Sequence, residues 1–418
     1  MSFIFVTVAL DMLALGVMIP VWPTLVRSFT GGSVASASLA IGAMSVMWAI
    51  GQFFAAPILG VLSDRFGRRP IILASNIGTA IDYVIMALAP AISWLYFGRV
   101  LSGIMSASVP TASAYIADVT PPEKRAGAYG MIGAAFGLGF VLGPALGGWL
   151  GGYDTRLPFW VSAGLGLANF LYGLFVLPES LPPDKRRARF EWRRANPLGS
   201  LRLLRSHREL FGIATVASIG YIAHESYTTV YVLYGQYRYG WDTATLGIGL
   251  AIVGISSAIV TAGLSQKLVD ALGTRAALLA GLAFGAIGFA LFGSPGTLLF
   301  WIAIPINSLW GVAGSAEQVY MTKRVAHDEQ GELQGALGSL RSIAMIVAPM
   351  LFAGIFAYFI KGGSGIEFPA APWFLAAALL AGSILVAWRV TSPSHDVPDA
   401  RDTTTAYEES LPADIPVR

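Results

Sequence analysis

Residues 178–208 read PESLPPDKRRARFEWRRANPLGSLRLLRSHR, the one long polar interruption in a chain of 418 residues. The chain is 55% hydrophobic and only 12% charged, where a soluble domain carries about 45–50% and about 25%. Outward from this interruption, apolar segments long enough to cross a bilayer stand six on each side. With a mean hydropathy of +0.65 and no cysteine, the composition excludes a disulfide scaffold, a disordered regulator and an ordinary soluble enzyme. The expected fold is an all-α membrane protein with twelve transmembrane helices in two six-helix bundles and a cavity between them.

A hydrocarbon core of about 30 Å needs about 20 apolar residues per helix. Twelve segments meet this length: 3–23, 38–62, 70–90, 92–116, 127–150, 158–177, 210–233, 244–266, 276–293, 297–320, 333–359 and 372–389. The domains read as an amino-terminal bundle 1–177, a linker 178–208, a carboxy-terminal bundle 209–389 and a disordered tail 390–418. With the amino terminus inside, 21 of the 27 Lys and Arg residues fall in cytoplasmic segments, nine of them in the linker. This positive-inside bias places both termini in the cytoplasm. The basic residues are topology signals and contacts for lipid headgroups, so no nucleic-acid partner is expected. The first apolar run has no basic leader and contains Asp11, and it reads as a retained span.

The halves echo each other 205 to 206 positions apart. Asp64-Arg-Phe-Gly67-Arg-Arg69 faces Asp270-Ala-Leu-Gly273-Thr-Arg275, Gly143-Pro144 faces Ala348-Pro349, and Gly130 faces Gly335. Parallel repeats with a solute site where they meet are the pattern of transporters that rock one bundle against the other.

Ionisable side chains deep in a span cost about 2.5–3.5 kcal/mol each and by default mark a pathway or coupling site. Asp11 lies near the middle of span 1 and Asp82 near the middle of span 3. Either each loads and releases a proton, or each bonds a neighbouring helix. Arg99 in span 4 needs an anionic or carbonyl partner; a switchable pairing with Asp11 is the functional expectation, and a fixed bond between helices is the alternative. In the second half His224, Glu225, Ser257, Glu317, Gln318 and Arg341 are candidate cavity-lining residues, suited to a polar or zwitterionic solute. Tyr227 and Tyr231 share a face of span 7, as a stacking wall or as ordinary packing. Trp22, Trp94, Trp149 and Trp241 lie near span ends and read as interface belts.

The loop after span 2 runs from Gly60 through Asp64, Arg65, Gly67, Arg68 and Arg69. Its arginines can partner Asp118 at the base of span 4, as a charge cluster that holds the cytoplasmic side and breaks when the bundles rock. In span 5, Gly137 and Gly143, with further glycines, make a smooth face for close helix approach, bent at Pro144. The four histidines lack metal-ligand spacing and the glycines form no phosphate turn, so no metal, no cofactor and no enzymatic activity are expected.

These residues resemble a known family. GVLSDRFGRRP from Gly60, GRVLSG from Gly98 and GLGFVLGPALGG from Gly137 look like signatures of the twelve-span drug/proton antiporters of the major facilitator superfamily. LDMLALGVMIPVWP from Leu10, IDYVIMALAP from Ile81, AYIADVTPPEKRA from Ala114 and QGELQGALGSL from Gln330 are similar to the tetracycline efflux antiporters. The resemblance implies the major facilitator fold and export of a small-molecule drug in exchange for protons, without a cofactor, by a monomer in the bacterial inner membrane. It puts Asp11, Asp82 and Arg99 on the family's membrane-embedded functional positions. It puts Asp64, Arg65, Arg68 and Asp118 on its gating cluster, and Gly143-Pro144 on its antiporter signature.

The second half departs from that pattern. The tetracycline pumps carry a span 8 histidine implicated in proton coupling, and Ser257 stands at that place here, while His224, Glu225 and Glu317 are additions. The expectation is therefore antiport of an amphipathic compound, with a metal-chelated substrate only if that compound is a tetracycline. The rivals are an importer or exchanger of an organic acid, sugar or peptide on the same fold, and a membrane receptor that does not transport.

Overall fold

The computed structural model describes residues 2–106, 108–121, 124–186, 203, 208–326, 329–361 and 365–392, and among them every regular element is helical. The amino-terminal half comprises α1 (Ser2–Met18), α2 (Trp22–Phe29), α3 (Val34–Phe66), α4 (Arg68–Leu88), α5 (Ile92–Met105), α6 (Ser108–Val119), α7 (Arg125–Gly151) and α8 (Leu157–Phe175). The carboxy-terminal half comprises α9 (Arg208–Tyr239), α10 (Thr243–Ile259), a π turn Val260–Leu264, α11 (Ser265–Leu272), α12 (Thr274–Gly293), α13 (Thr297–Ser308), α14 (Gly311–Thr322), α15 (Gln330–Ile360) and α16 (Ala371–Val390). Most of the expected linker, nearly all of the expected tail, and His207, His327 and His395 lie outside the described residues.

Among the described residues ten helical segments are long and apolar enough to cross a membrane, and eleven when α1 and α2 count as one span bent by 44°. The bend has a local cause. Pro20 lacks an amide hydrogen and disfavours helical backbone at Ile19, and Pro23 belongs to the first turn of α2. The expected seventh span is α9, whose 32 residues suffice in length but whose charged and hydroxylated side chains keep it out of the apolar set. Span 4 also breaks. Pro110 would drive its ring into the carbonyl four residues back, and α5 stops at that residue, Ser106.

The packing follows the repeat. In one half α1 lies on α7 and α8, α4 on α8 and α5, and α3 on α5; in the other α9 lies on α15 and α16, α12 on α16, α13 and α14, and α10 on α13. Two large contacts join the halves among the described residues, α7 with α10 and α3 with α15, and a smaller one joins α3 with α9. The larger apolar core continues across this joint, from Met44, Leu95 and Phe159 to Phe292, Phe352 and Trp373.

Both joints use the same parts. Ser38 Oγ donates to the Ala353 carbonyl at 3.1 Å. Thr243 Oγ1, 205 positions after Ser38, donates at 3.3 Å to the carbonyl of Gly148, 205 positions before Ala353. One helical turn on, a Cβ on Gly42 would lie 3.2 Å from the Pro349 carbonyl, and a Cβ on Gly247 would lie 2.3 Å from the Pro144 carbonyl. Any side chain at Gly247 would push the helices apart, so glycine there is a packing requirement. Gln236 Nε2 donates to Thr24 Oγ1 at 2.7 Å at this same end.

The opposite end carries the cation-rich loops. A Cβ on Gly130, Gly133, Gly137, Gly331 or Gly338 would meet nothing within 4 Å. Gly137, expected on the close-packing face of span 5, faces open space instead, while Gly139, Gly143 and Gly147 take the close approach to Met12, Gly16 and Val17.

Candidate functional site

Asp82 on α4 and Arg99 on α5 sit on helices joined by a turn of three residues. Arg99 Nη2 donates to Asp82 Oδ2, and the pair forms an ion pair inside the bundle. Asp82 has no exposed surface and Arg99 retains 8%. A Cβ on Gly98 would lie 2.4 Å from Asp82 Oδ1, so the missing side chain gives the carboxylate its place against α5. Above the pair, the guanidinium lies 5.1 Å from the ring centre of Trp22. Trp22 is buried, so its expected place in an interface belt is corrected to a cation–π lid on Arg99. Trp94 and Trp149 are exposed near helix ends.

The expected partner of Arg99 is likewise corrected. In this state its ion pair is with Asp82, not Asp11. α1, which carries Asp11, packs mainly on α7 and α8. Asp11 is half-buried between two carbonyls of its own helix that α8 holds: Asn169 Nδ2 donates to Thr7 at 2.9 Å and Ser162 Oγ to Ala14 at 2.8 Å. The charges of Asp11, Asp82 and Arg99 all act on the hydroxyl of buried Tyr83.

A second network occupies the cytoplasmic-type loop. Arg68 Nη1 donates to Asp64 Oδ1 at 2.6 Å and to Ser63 Oγ at 2.6 Å, and Nε donates to Asp118 Oδ2 at 3.0 Å. Ser180 Oγ donates to the same Asp118 oxygen at 3.0 Å. The expectation that three arginines serve Asp118 narrows to Arg68. Successive residues on a helix point about 100° apart, so Arg69 turns to α8 and donates to the carbonyls of Gly173 and Leu174. Arg65 lies 5.2 Å over the Phe66 ring. Beside Gly60, a cavity of 280 Å³ opens between α3 and α6, lined by Pro57, Ser63, Asp64, Arg68 and Thr111. The partners named here come from the amino-terminal half and from Ser180 just after it.

Glu179 is the residue that sequence reasoning missed. Its carboxylate accepts from the backbone amides of Arg68 at 2.8 Å and Arg69 at 3.3 Å, which are orphan donors at the start of α4. Gly67, at φ +106°, makes room, since a Cβ there would lie 2.2 Å from Glu179 Oε2. The available signal was an acid just after span 6 together with a helix that opens on glycine and two arginines.

The carboxy-terminal half presents a different set. Arg341 on α15 and His224 on α9 are exposed, and Glu317 and Gln318 on α14 are half-buried. The charge of Arg341 acts on Tyr221, His224 and Glu225, and that of Glu317 acts on Tyr221. Glu225 is buried and accepts from Thr228 Oγ1 at 2.9 Å. Gln318 offers its backbone carbonyl to Thr322 Oγ1 at 2.8 Å. Ser257 is half-buried near the end of α10, just before the π turn, and no side-chain hydrogen bond joins it to this set among the described residues.

Tyr227 and Tyr231 resolve toward packing. Tyr231 is 1% exposed, with ring centres 4.9 Å from Tyr227 and 5.5 Å from Phe300, and Tyr227 lies 5.7 Å from Phe292. A ring enclosed in this way has no face left for a ligand. No group of three or more His, Cys, Asp or Glu among the described residues is arranged to hold a metal ion.

The sequence model described as Major Facilitator Superfamily matches residues 4–349. The tetracycline resistance protein, class C, of Escherichia coli is 36% identical, over 89% of this chain and 92% of that protein. The class G protein of Vibrio anguillarum is 37% identical, over 84% of this chain and 88% of its own. Among solved structures, the nucleoside transporter NupG aligns with a TM-score of 0.74 at 14% identity, covering 93% of this chain and 98% of that one. The human organic anion transporter MFSD10 (TETRAN) aligns at 0.68 with 22% identity, covering 92% and 98%. At these identities the two structures speak for the fold alone.

Proposed function

The chain belongs to the major facilitator superfamily, and from that premise we propose that it is a proton-coupled antiporter that exports a drug or other amphipathic small molecule by alternating access. It is an integral membrane protein and a transporter, not an enzyme. Its relatives named for tetracycline resistance support drug efflux. The observation that carries proton coupling is the embedded group of Asp11, Asp82, Tyr83 and Arg99. Asp82 is sealed against Arg99 while Asp11 keeps an exposed edge.

In this reading the proton enters and leaves through Asp11. Movement of α1 changes the field on Arg99 and Asp82, which hold the bundle in shape between strokes. The amino-terminal half couples and the carboxy-terminal half reads the solute. The loop network of Asp64, Arg68, Asp118 and Glu179 keeps the amino-terminal bundle rigid while it swings. The cation-rich end faces the cytoplasm, by the positive-inside bias, and cargo for export would load from that end. The protein works as a monomer in the bacterial inner membrane, with its basic loops on anionic headgroups.

The driving force is adequate. One proton entering across one pH unit and 100 mV supplies about 1.4 plus about 2.3 kcal/mol, enough for a gradient of about 10²–10³-fold. The test uses inside-out vesicles of reconstituted protein with an acidic lumen. They should accumulate tetracycline or another flat amphipathic compound, lose it on addition of a protonophore, and do neither with Asp11→Asn. Accumulation that ignores the pH gradient, or survives Asp11→Asn, would overturn the reading.

A further inference from the structure

α2 is only eight residues long, Trp22–Phe29, yet its first turn touches both the embedded ion pair and the joint between the halves. Trp22 is buried, with the Arg99 guanidinium 5.1 Å from its ring centre and the Phe159 ring centre 6.5 Å away, edge on. Two residues later Thr24 Oγ1 accepts from Gln236 Nε2 of α9, in the other half, at 2.7 Å. Just before Trp22 the chain bends by 44°, and Val21 at that bend has no exposed surface. A Cβ on Gly151 would collide with Val21 and lie 3.3 Å from Thr243 Oγ1, the hydroxyl that closes the joint between α7 and α10. The far end of α2 is also held, by the Arg156 guanidinium 6.0 Å from the Phe29 ring centre.

Trp22 and Thr24 stand about 200° apart around their helix, so they meet partners on different sides, and a pivot of α2 that lifts Trp22 from Arg99 also carries Thr24 away from Gln236. We propose that α2 is the link through which the state of the Asp82–Arg99 pair reaches the joint between the halves, with Trp22 as its positioning residue. The inference rests on the alternating-access reading, which requires that joint to open. While Arg99 is bonded to Asp82 its guanidinium stays under Trp22, α2 stays docked and Thr24 is held to Gln236. When Arg99 shifts, the ring loses its cation, α2 is released to pivot at the bend set by Pro20, and the bond to Gln236 goes with it. Coupling between two sites is reciprocal, so opening the joint at Gln236 also loosens Trp22 from Arg99. An aromatic that only anchored a span end in headgroups would do neither.

The test reads opening of the joint from a buried thiol, in the purified full chain in detergent, without cargo or a pH gradient. The chain has no cysteine, and Ser38, in the joint between α3 and α15, has no exposed surface, so Ser38→Cys should react with a water-soluble maleimide only as the joint opens. On that background Trp22→Leu should raise the alkylation rate at least about fivefold, and Gln236→Leu should do the same. Trp22→Phe, whose ring is a weaker partner for a cation, should fall between Trp22→Leu and the parent. Combining a Trp22 variant with Gln236→Leu should be no faster than the faster single variant, because both break one link. A Trp22 that merely fills space would instead give independent factors that multiply. Unchanged rates in Trp22→Phe and Trp22→Leu, or factors that multiply in the double variant, overturn the proposal; should Trp22→Leu fail to fold, Trp22→Phe with Gln236→Leu makes the same comparison. Because alkylation involves neither cargo nor protons, a chain that behaves this way yet exchanges no protons would retire the antiport reading and uphold the link, and gradient-driven exchange beside multiplying factors would do the reverse.

Discussion

The two halves of the molecule keep the same joints and different charges. Ser38 and Thr243 hold their partner carbonyls at 3.1 and 3.3 Å, and the residues involved are separated by the same 205 positions on both sides of each bond. The embedded charges do not repeat. The counterparts of Asp11, Asp82 and Arg99 at that offset are Val216, Ile287 and Ile304, and those of Glu317 and Arg341 are Ala112 and Phe136. In the first half the charges are closed on each other under Trp22, whereas in the second Glu317 and Arg341 make no ion pair among the described residues. Closure of the two halves is the shared inheritance of the repeat, and the chemistry was acquired by each half separately.

The sharpest way to break this comparison is to open the closed pair. Arg99→Gln leaves Asp82 buried without its cation and should cost about 3–5 kcal/mol, read as a large fall in melting temperature together with loss of gradient-driven exchange. Arg341→Gln, on an exposed cation, should leave the stability within about 0.5 kcal/mol of wild type. If the two variants destabilise equally, the contrast between a closed and an open set of charges is wrong.

The joints come next. The chain has no cysteine of its own, so Ser38→Cys with Ala353→Cys, and Thr243→Cys with Gly148→Cys, can be cross-linked cleanly. Each bridge should cut transport by about tenfold or more, with recovery on reduction, and the two effects should match. A bridge that inhibits on one side only would show that the joints are not equivalent.

Smaller effects separate the loops. Glu179→Gln removes a carboxylate from the start of α4 and should cost about 1 kcal/mol, while the corresponding helix of the second half, α12, has no such cap among the described residues. At the other end, the Asp242 carboxyl is held below its usual range by its hydrogen bonds to Thr245, side chain first and backbone second. Its contribution is therefore present above the unfolded value near 3.9 and fades as the pH falls through the lower folded value. Asp242→Ala should cost about 1 kcal/mol at neutral pH, and the difference from wild type in thermal melts should shrink as the pH drops below about 4.

Hydropathy and charge bias made the spans, their division and the repeat legible, because burial in lipid is a property each segment has by itself. Partners were less legible. Arg99 could be seen to need an anion, yet its choice of Asp82 depends on the missing Cβ of Gly98, which lets the carboxylate lie against α5. Trp22 looked like a headgroup anchor because its distance from a span end says nothing about the 44° bend that folds it inward. Glu179 sat in a stretch that reads as linker, and its value depends on a helix start more than a hundred residues earlier. The tyrosines of α9 kept their face, as the spacing required, but which neighbour fills that face is decided by Phe292, Phe300 and Trp373 on other helices.

The paired hydroxyl contacts also bear on history. If each half once existed as a separate six-helix chain, two identical copies meeting side by side would have made both bonds from a single pair of positions, related by a twofold axis along the membrane normal. Fusion then freed each copy to drift. A present-day half, expressed alone, carries only half of every bond that once made it self-complementary.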